Sequence, residues 1–188
     1  MFWFANDNKQ KKTIKKESYI QEGYENTDEW KIVSRHANDL FEYLSKPKIS
    51  KEIEVVNQPG VSSHEIQKVI LRKAKELGFT DEKNGLFRNY SNSRLRPDFY
   101  LKIGKTGIII EVERGQTTQN NNDLKDFWKC HICEEAHYLF LFVPNTLIQN
   151  TTGKKSREKS YFKVNQHLSS FFERGNYTNV RGLVVFGY

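Results

Sequence analysis

Residues 96–114, RPDFYLKIGKTGIIIEVER, contain two segments of strand-like sequence, PDFYLKI and GIIIEVE, joined by GKTG. A glycine-bounded turn between two such segments is typical of a β-hairpin. If Lys105 and Thr106 form its tip, Phe99 faces Val112, and the other facing pairs on that side are apolar as well. A hairpin face built from apolar pairs is expected to pack on a hydrophobic core.

The opposite face of the same hairpin carries acidic residues at its open end. In this register Asp98 faces Glu113, and Glu111 lies on the diagonal. Facing Cβ atoms lie roughly 5 Å apart and diagonal ones roughly 7–8 Å apart, so these like charges need to be neutralised. A hard divalent cation with oxygen ligands, Mg²⁺ first, is one candidate. The alternative is a solvated outer face whose acids are screened by neighbouring arginines, namely Arg94, Arg96 and Arg114.

Pro97-Asp98, a strand, a turn and an apolar run that ends in Glu111-Val112-Glu113 resemble the motif of the PD-(D/E)XK nuclease superfamily. The resemblance implies a restriction-endonuclease-like α/β core, with a central mixed sheet and helices on both faces. It also implies Mg²⁺, for which Mn²⁺ can substitute, held by Asp98, Glu111 and the carbonyl of Val112. Glu113 stands where the family usually has Lys, although some restriction endonucleases resemble this chain in carrying Glu there.

Two helices that flank the hairpin in the sequence offer further site residues by the same resemblance. The preceding helix often lends a Glu to the metal site, and Glu65 is the match. Its alternative role is to complete the capping box that Ser62 opens, and both roles can hold. On the following helix, Lys125 and Lys129 share one face and could supply the cation missing from the motif. The alternative for this pair is a solvated helix face.

The order of the predicted elements suggests two parts. A helix begins after Thr27 and stops at Pro47, and the Pro-Gly turn at residues 59–60 marks a boundary,. Residues 1–26 are predicted to be an irregular arm. We therefore expect an N-terminal helical extension of unknown role in residues 1–60 and the nuclease-like core in residues 61–188. Helices are predicted in this core at 62–77, 123–136 and 161–174, and strands at 138–143 and 182–187.

Charge and composition restrict the partners and the compartment. The 188-residue chain has a formal net charge of +7, which favours a polyanionic partner,. No apolar run approaches the roughly 18 residues that span a bilayer, and the opening MFWFAND is too short for a secretion signal,. With two cysteines, a soluble protein of the reducing cytoplasm is expected,. The candidate DNA contacts are Arg88, Arg94, Arg96, Arg114, Lys125, Lys129, Lys154 and Lys155.

The two cysteines, Cys130 and Cys133, bracket His131 in a CHIC sequence that resembles half of a zinc site. A structural zinc site needs four ligands, and the sequence offers no second CxxC pair,. Two cysteines three apart on a helix are more often small buried hydrophobic residues.

Together these features predict a metal-dependent DNA endonuclease of restriction or defence type. A homodimer is plausible, because cutting both strands of a symmetric site needs two active sites, and a complex with another protein is also open. One alternative is a catalytically inactive DNA-binding or partner-binding module on the same fold. Another is an RNA endonuclease, which the same metal chemistry allows.

Overall fold

The computed structural model describes residues 14–81, 85–90, 95–114, 118, 121–148, 152–156 and 158–188. Within them, one mixed sheet has the strand order β1-β6-β5-β4-β3-β2. Strands β4, β5 and β6 are mutually parallel, whereas β1, β3 and β2 run antiparallel to their neighbours. The strands are β1 (Lys15–Ile20), β2 (Thr80–Asp81), β3 (Phe99–Ile103), β4 (Thr106–Val112), β5 (Tyr138–Val143) and β6 (Gly182–Gly187).

Helices cover both faces of this sheet, which confirms the predicted α/β fold. They are α1 (Asp28–Ser45), α2 (Pro47–Val56), α3 (Ser63–Glu76), α4 (Asn122–Ile132) and α5 (Ser160–Ser169), the last followed by a 3₁₀ turn, Ser170–Phe172. Alternate residues of β4 point to opposite sides: Ile110 packs with α1–α3, and Ile109 packs with α4 and α5. Because both faces are covered, β4 and β5 are buried along their whole length,. None of the helices in the described ranges is both long and apolar enough to cross a membrane.

The predicted helix starts depend on side-chain caps, and the structure contains them. Thr27 Oγ1 accepts a hydrogen bond from the backbone N–H of Trp30 at 3.2 Å and so begins α1,. Ser62 caps α3 in the same way, and Gly78, at φ +91°, follows its C-terminal end,. Pro47 ends α1 as predicted, but it also occupies the first turn of α2, a position at which its missing N–H costs no helical hydrogen bond,.

The N-terminal part of the chain is more closely joined to the core than the sequence suggested. Residues 15–20, predicted to be irregular, form β1 and pair with β6 at the edge of the sheet. Lysine at an edge strand is common because it discourages further strand pairing. Val33 and Leu40 of α1 lie in the same hydrophobic cluster as Ile110 of β4. Residues 1–13 lie outside the described part of the chain.

The register of the β3–β4 hairpin differs by two residues from the predicted one. Ile103 pairs with Thr106 and Phe99 pairs with Ile110, so that Gly104 and Lys105 form the tip. Gly104 adopts φ +56°, a left-handed conformation that suits a tight hairpin turn and that glycine adopts without strain,. A shift of two residues keeps every side chain on its predicted face. Continued one step beyond Phe99, the register places Asp98 opposite Glu111 instead of Glu113, which corrects the prediction.

Candidate active site

Asp98, which directly precedes β3, is held by two hydrogen bonds at the open end of the hairpin. Its Oδ2 accepts a hydrogen bond from the backbone N–H of Val112 at 2.8 Å. Its Oδ1 accepts one from the side-chain amide of Gln67, on α3, at 2.9 Å. Burial raises the pKa of Asp98 in spite of these two donors,. The carboxylate is therefore oriented from both the sheet and a helix.

Glu111, in β4, lies beneath α4 and is only 4% exposed. Its Oε1 is 2.6 Å from Nζ of Lys129, and the same Nζ is 2.9 Å from Oδ1 of Asp126. Both partners come from α4, at positions i and i+3 of one helix face. The helix thus brings an ammonium group and another carboxylate to Glu111. A solvated outer face, the alternative derived from the sequence, is wrong for this residue.

The charged groups in this cluster shift one another's pKa values because burial weakens solvent screening. Burial and the Asp126 carboxylate raise the pKa of Glu111 well above its ordinary value. Burial also raises the pKa of Asp126, and burial together with Asp126 raises that of Glu113 to about 7. For Lys129, burial opposes the charged form, but Glu111 and Asp126 outweigh it and raise the pKa. The cluster therefore places the Lys129 ammonium among carboxyl groups whose pKa values are raised by burial and by one another's charge,.

Glu113 is tied to the sheet through its backbone. Its N–H donates to the carbonyl of Phe142 at 2.8 Å, and its own carbonyl accepts a hydrogen bond from the hydroxyl of Tyr188. The first of these bonds extends the pairing of β4 with β5 by one residue. The side chain interacts with Asp126. Glu113 is therefore part of the same acidic cluster.

Several residues predicted for the site lie elsewhere. Glu65 forms an ion pair with Lys68 at 2.6 Å on the half-exposed surface of α3. Lys125 is exposed and donates to Asn122 Oδ1 at 3.2 Å, although it shares a helix face with Lys129. Arg114 donates to the backbone carbonyl of Gln58. The remaining predicted DNA contacts in the described ranges are exposed, namely Arg88, Arg96, Lys154 and Lys155, and Arg94 lies outside those ranges.

Gln67 and Asp126 were not singled out from the sequence, yet both reach the cluster. Gln67 follows the predicted Glu65 by two positions, and it is Gln67 that contacts Asp98. Asp126 carried a recognisable signal: it precedes Cys130 by four residues, so that both lie on one helix face. Because Cys130 was expected to be buried, the helical spacing placed Asp126 on the same inner face of α4. Cys130 and Cys133 are indeed buried, at 0% and 1% exposure.

The donors at this site suit a hard cation. Among the described residues, no three His, Cys, Asp or Glu side chains converge closely enough to hold a metal ion by themselves. Mg²⁺, however, is commonly held by one or two carboxylates, with waters and phosphate oxygens completing its shell. Asp98 and Glu111 provide two such carboxylates. Asp126 Oδ2, which is buried without a hydrogen-bond partner in the described part of the chain, is a further oxygen donor nearby.

Fold and site together define an α/β protein with a buried acidic cluster and one buried ammonium group on its central sheet. No protein-family model matches the sequence, and no curated protein matches it. Among solved structures, the chain is similar to the crystal structure of the restriction endonuclease BglII complexed with a DNA 16-mer. The two chains are 13% identical with a TM-score of 0.49, and the match covers 93% of this chain and 77% of BglII.

Proposed function

We propose that this protein is a metal-dependent endonuclease that hydrolyses phosphodiester bonds in DNA. The observation that carries the proposal is the contact between Lys129 and Glu111, 2.6 Å apart and next to the hairpin end that bears Asp98. The sequence motif requires a cation beside two acids, and its usual position is occupied by Glu113. In the proposed site, α4 supplies that cation from a different element of the chain.

Asp98 and Glu111, with the carbonyl of Val112, are the proposed ligands of Mg²⁺ or Mn²⁺. When bound, such an ion supplies a water of lowered pKa and offsets negative charge on the phosphate under attack. The hydrogen bonds from Gln67 and the Val112 N–H hold Asp98 in place before any ion arrives. Preorganised ligands of this kind bind more tightly because less side-chain freedom is lost on binding.

Lys129 and Glu113 are the proposed proton-handling and charge-stabilising groups. The Lys129 ammonium can donate to a non-bridging phosphate oxygen and so stabilise the charge that develops during attack. Glu113 has a pKa of about 7 and can take a proton from the attacking water near neutral pH,. Asp126 holds Lys129 at 2.9 Å and sets its position between the sheet and the substrate.

DNA is the proposed substrate because the chain carries a net charge of +7,. Exposed basic residues, Arg88, Arg96, Lys154 and Lys155, are the proposed backbone contacts, and their contribution to affinity would fall steeply with salt,. A restriction or defence role, with two copies acting on the two strands of a symmetric site, is part of this proposal.

The second candidate is a binding module on the same fold without catalytic activity. The contact that supports catalysis also favours this candidate, since an ammonium group that neutralises Glu111 can replace a metal ion permanently. The two candidates differ in one property. A nuclease must cut a phosphodiester bond in the presence of Mg²⁺, whereas a binding module retains DNA intact.

The test is a cleavage assay on supercoiled plasmid with Mg²⁺ or Mn²⁺, and with EDTA as the control. We expect nicked and linear products from the wild type, and loss of cleavage in Asp98→Asn and Glu111→Gln. Glu76→Gln, which removes an exposed carboxylate from α3, is the matched control and should cut normally. Cutting at the wild-type rate by either site variant would refute the site. Retarded but intact plasmid would favour the binding module, and cleavage confined to an RNA substrate would change the substrate class.

A further inference from the structure

Asp123 and His167 form another buried polar contact one helical turn before Asp126. Asp123 on α4 is 0% exposed, and its Oδ2 lies 2.8 Å from Nδ1 of His167 on α5. The imidazole is partly exposed, with 32% of its side-chain surface accessible. Nε2 has no hydrogen-bond partner in the described part of the chain. The ring is therefore held at one nitrogen and available at the other.

This pair is continuous with the proposed active site. Asp123 and Asp126 occupy positions i and i+3 of α4, which lie on one face and about 4.5 Å apart along the axis. Asp126 contacts Lys129, and Lys129 contacts Glu111. The polar groups thus form one row, from the hairpin to α5.

The burial of Asp123 indicates that it does more than join two helices. Its Oδ1 is buried and has no hydrogen-bond partner among the described residues. Removing a carboxylate from water is costly, and an exposed pair could link α4 and α5 without that cost. A carboxylate bound to Nδ1 instead selects the orientation of an imidazole and leaves Nε2 directed away from it.

The surface around the imidazole suits an anion. Lys163 precedes His167 by one turn on the same face of α5 and is 42% exposed,. Its ammonium is 3.9 Å from Glu158, a distance at which it remains able to approach a further anion. An anion that binds Nε2, together with the Asp123 carboxylate, would place negative charge on both sides of the ring. A ring that carries both protons donates through Nδ1–H to Asp123 and through Nε2–H to the anion.

We propose that His167 is a phosphate-binding residue of the nuclease. Its Nε2–H donates to a backbone phosphate adjacent to the one that is cut, and Asp123 is the positioning residue that orients the ring. The inference rests on the proposed function, because it assigns a substrate contact to the same site. It adds a contact on α5 that lies outside the hairpin motif.

The test measures binding of a fluorescent DNA duplex by anisotropy at pH 6, with Ca²⁺ in place of Mg²⁺, over a series of salt concentrations. His167→Gln should weaken binding about five- to tenfold and reduce the slope of log K against log salt by about 0.9. His167→Lys, which restores a positive charge, should keep the slope. Adding Asp123→Asn to His167→Gln should cause no further loss, because Asp123 acts through the ring. The matched control is His131→Gln, a histidine of α4 that is bonded to Asn179, and it should bind normally.

Thermal unfolding identifies variants that fold poorly. If His167→Gln is among them, Asp123→Asn decides: weaker binding by the folded variant supports the proposal, and wild-type binding overturns it. Wild-type affinity and slope in a folded His167→Gln would overturn it. Salt-independent binding or no binding by the wild type itself would overturn the proposed function, and this inference with it. The two failures are therefore distinguishable.

Discussion

The Nζ atom of Lys129 lies 2.6 Å from Oε1 of Glu111, so α4 brings a cation to the acidic end of the hairpin. The contact is buried: the side chains of Lys129 and Glu111 are 15% and 6% exposed. In a buried pair, each group depends on the other for neutralisation.

Lys129→Met should reduce both stability and cleavage. It leaves Glu111 and Asp126 buried without their counter-ion, a loss that typically costs about 3–5 kcal/mol of unfolding free energy. We expect that loss at pH 8 and a smaller one at pH 5, where proton uptake by the carboxyl groups replaces the lysine. Plasmid cleavage should fall at least about 100-fold, as for other groups that stabilise transition-state charge. Urea unfolding at the two pH values measures the first effect.

Lys125→Met is the matched control for that variant. Lys125 lies one turn earlier on α4 and is exposed, so its loss should change stability by less than about 0.5 kcal/mol,. Equal stability and activity in both variants would show that the Lys129 contact has no role in the folded protein.

Glu113→Gln should change how stability depends on pH in EDTA. Folding raises the pKa of Glu113 from 4.5 to about 7, so the folded state binds the proton more tightly than the unfolded state. This contribution is fully present below pH 4.5 and is lost as the pH rises through about 7,. Relative to the wild type, Glu113→Gln should therefore gain stability between pH 4.5 and pH 8. After allowance for solvent screening, the gain should be on the order of 1–2 kcal/mol.

Denaturant titrations of both proteins across this pH range measure the difference. Because the carboxyl groups outside the cluster are present in both proteins, their titration cancels in the comparison. Parallel stability curves for the wild type and the variant would contradict the raised pKa of Glu113.

Gln67→Ala should weaken metal binding. The variant removes the amide that donates to Asp98 Oδ1 at 2.9 Å, so the carboxylate is less well oriented. Loss of a supporting hydrogen bond of this kind typically lowers metal affinity about 10- to 100-fold. Calorimetric titration with Mn²⁺ measures the change. Gln166→Ala, an exposed glutamine on α5, is the control and should bind Mn²⁺ as the wild type does.

Gly107→Ala should destabilise the hairpin that carries the site. A Cβ added at Gly107 would lie 2.2 Å from Cε2 of Tyr100, so the ring would have to move. Overpacking of this kind typically costs about 1–3 kcal/mol. Combining Gly107→Ala with Tyr100→Ala should recover part of that loss, and a double-mutant cycle by urea unfolding measures it. Strictly additive losses would contradict the contact.

Gly104→Asn provides a contrast within the same hairpin. A Cβ there would meet nothing within 4 Å, but the residue has φ +56°. Asn tolerates left-handed conformations better than most residues, so this variant should cost less than about 1 kcal/mol. A large loss of stability would show that the tip does not adopt this turn.

Local sequence determined much of the fold, because local interactions create it. Caps at Thr27 and Ser62 placed two helix starts, and the apolar run YLFLFV at residues 138–143 placed a buried central strand,. The side of the hairpin on which each residue lies follows from alternation, which survives the two-residue error in register. Alternation alone therefore places Asp98 and Glu111 on the same face of the hairpin.

Only the tertiary structure decided which groups meet at the site. Lys125 and Lys129 are equivalent in helical spacing, and the docking of α4 on β4 buries Lys129 alone. In the same way, the orientation of α3 directs Gln67, and not Glu65, to Asp98. Such choices depend on how packed helices lie against the sheet, which no short stretch of sequence encodes. The sequence alone therefore identified the acidic residues Asp98 and Glu111. The packing of α4 on the sheet decided that Lys129 is the cation beside them.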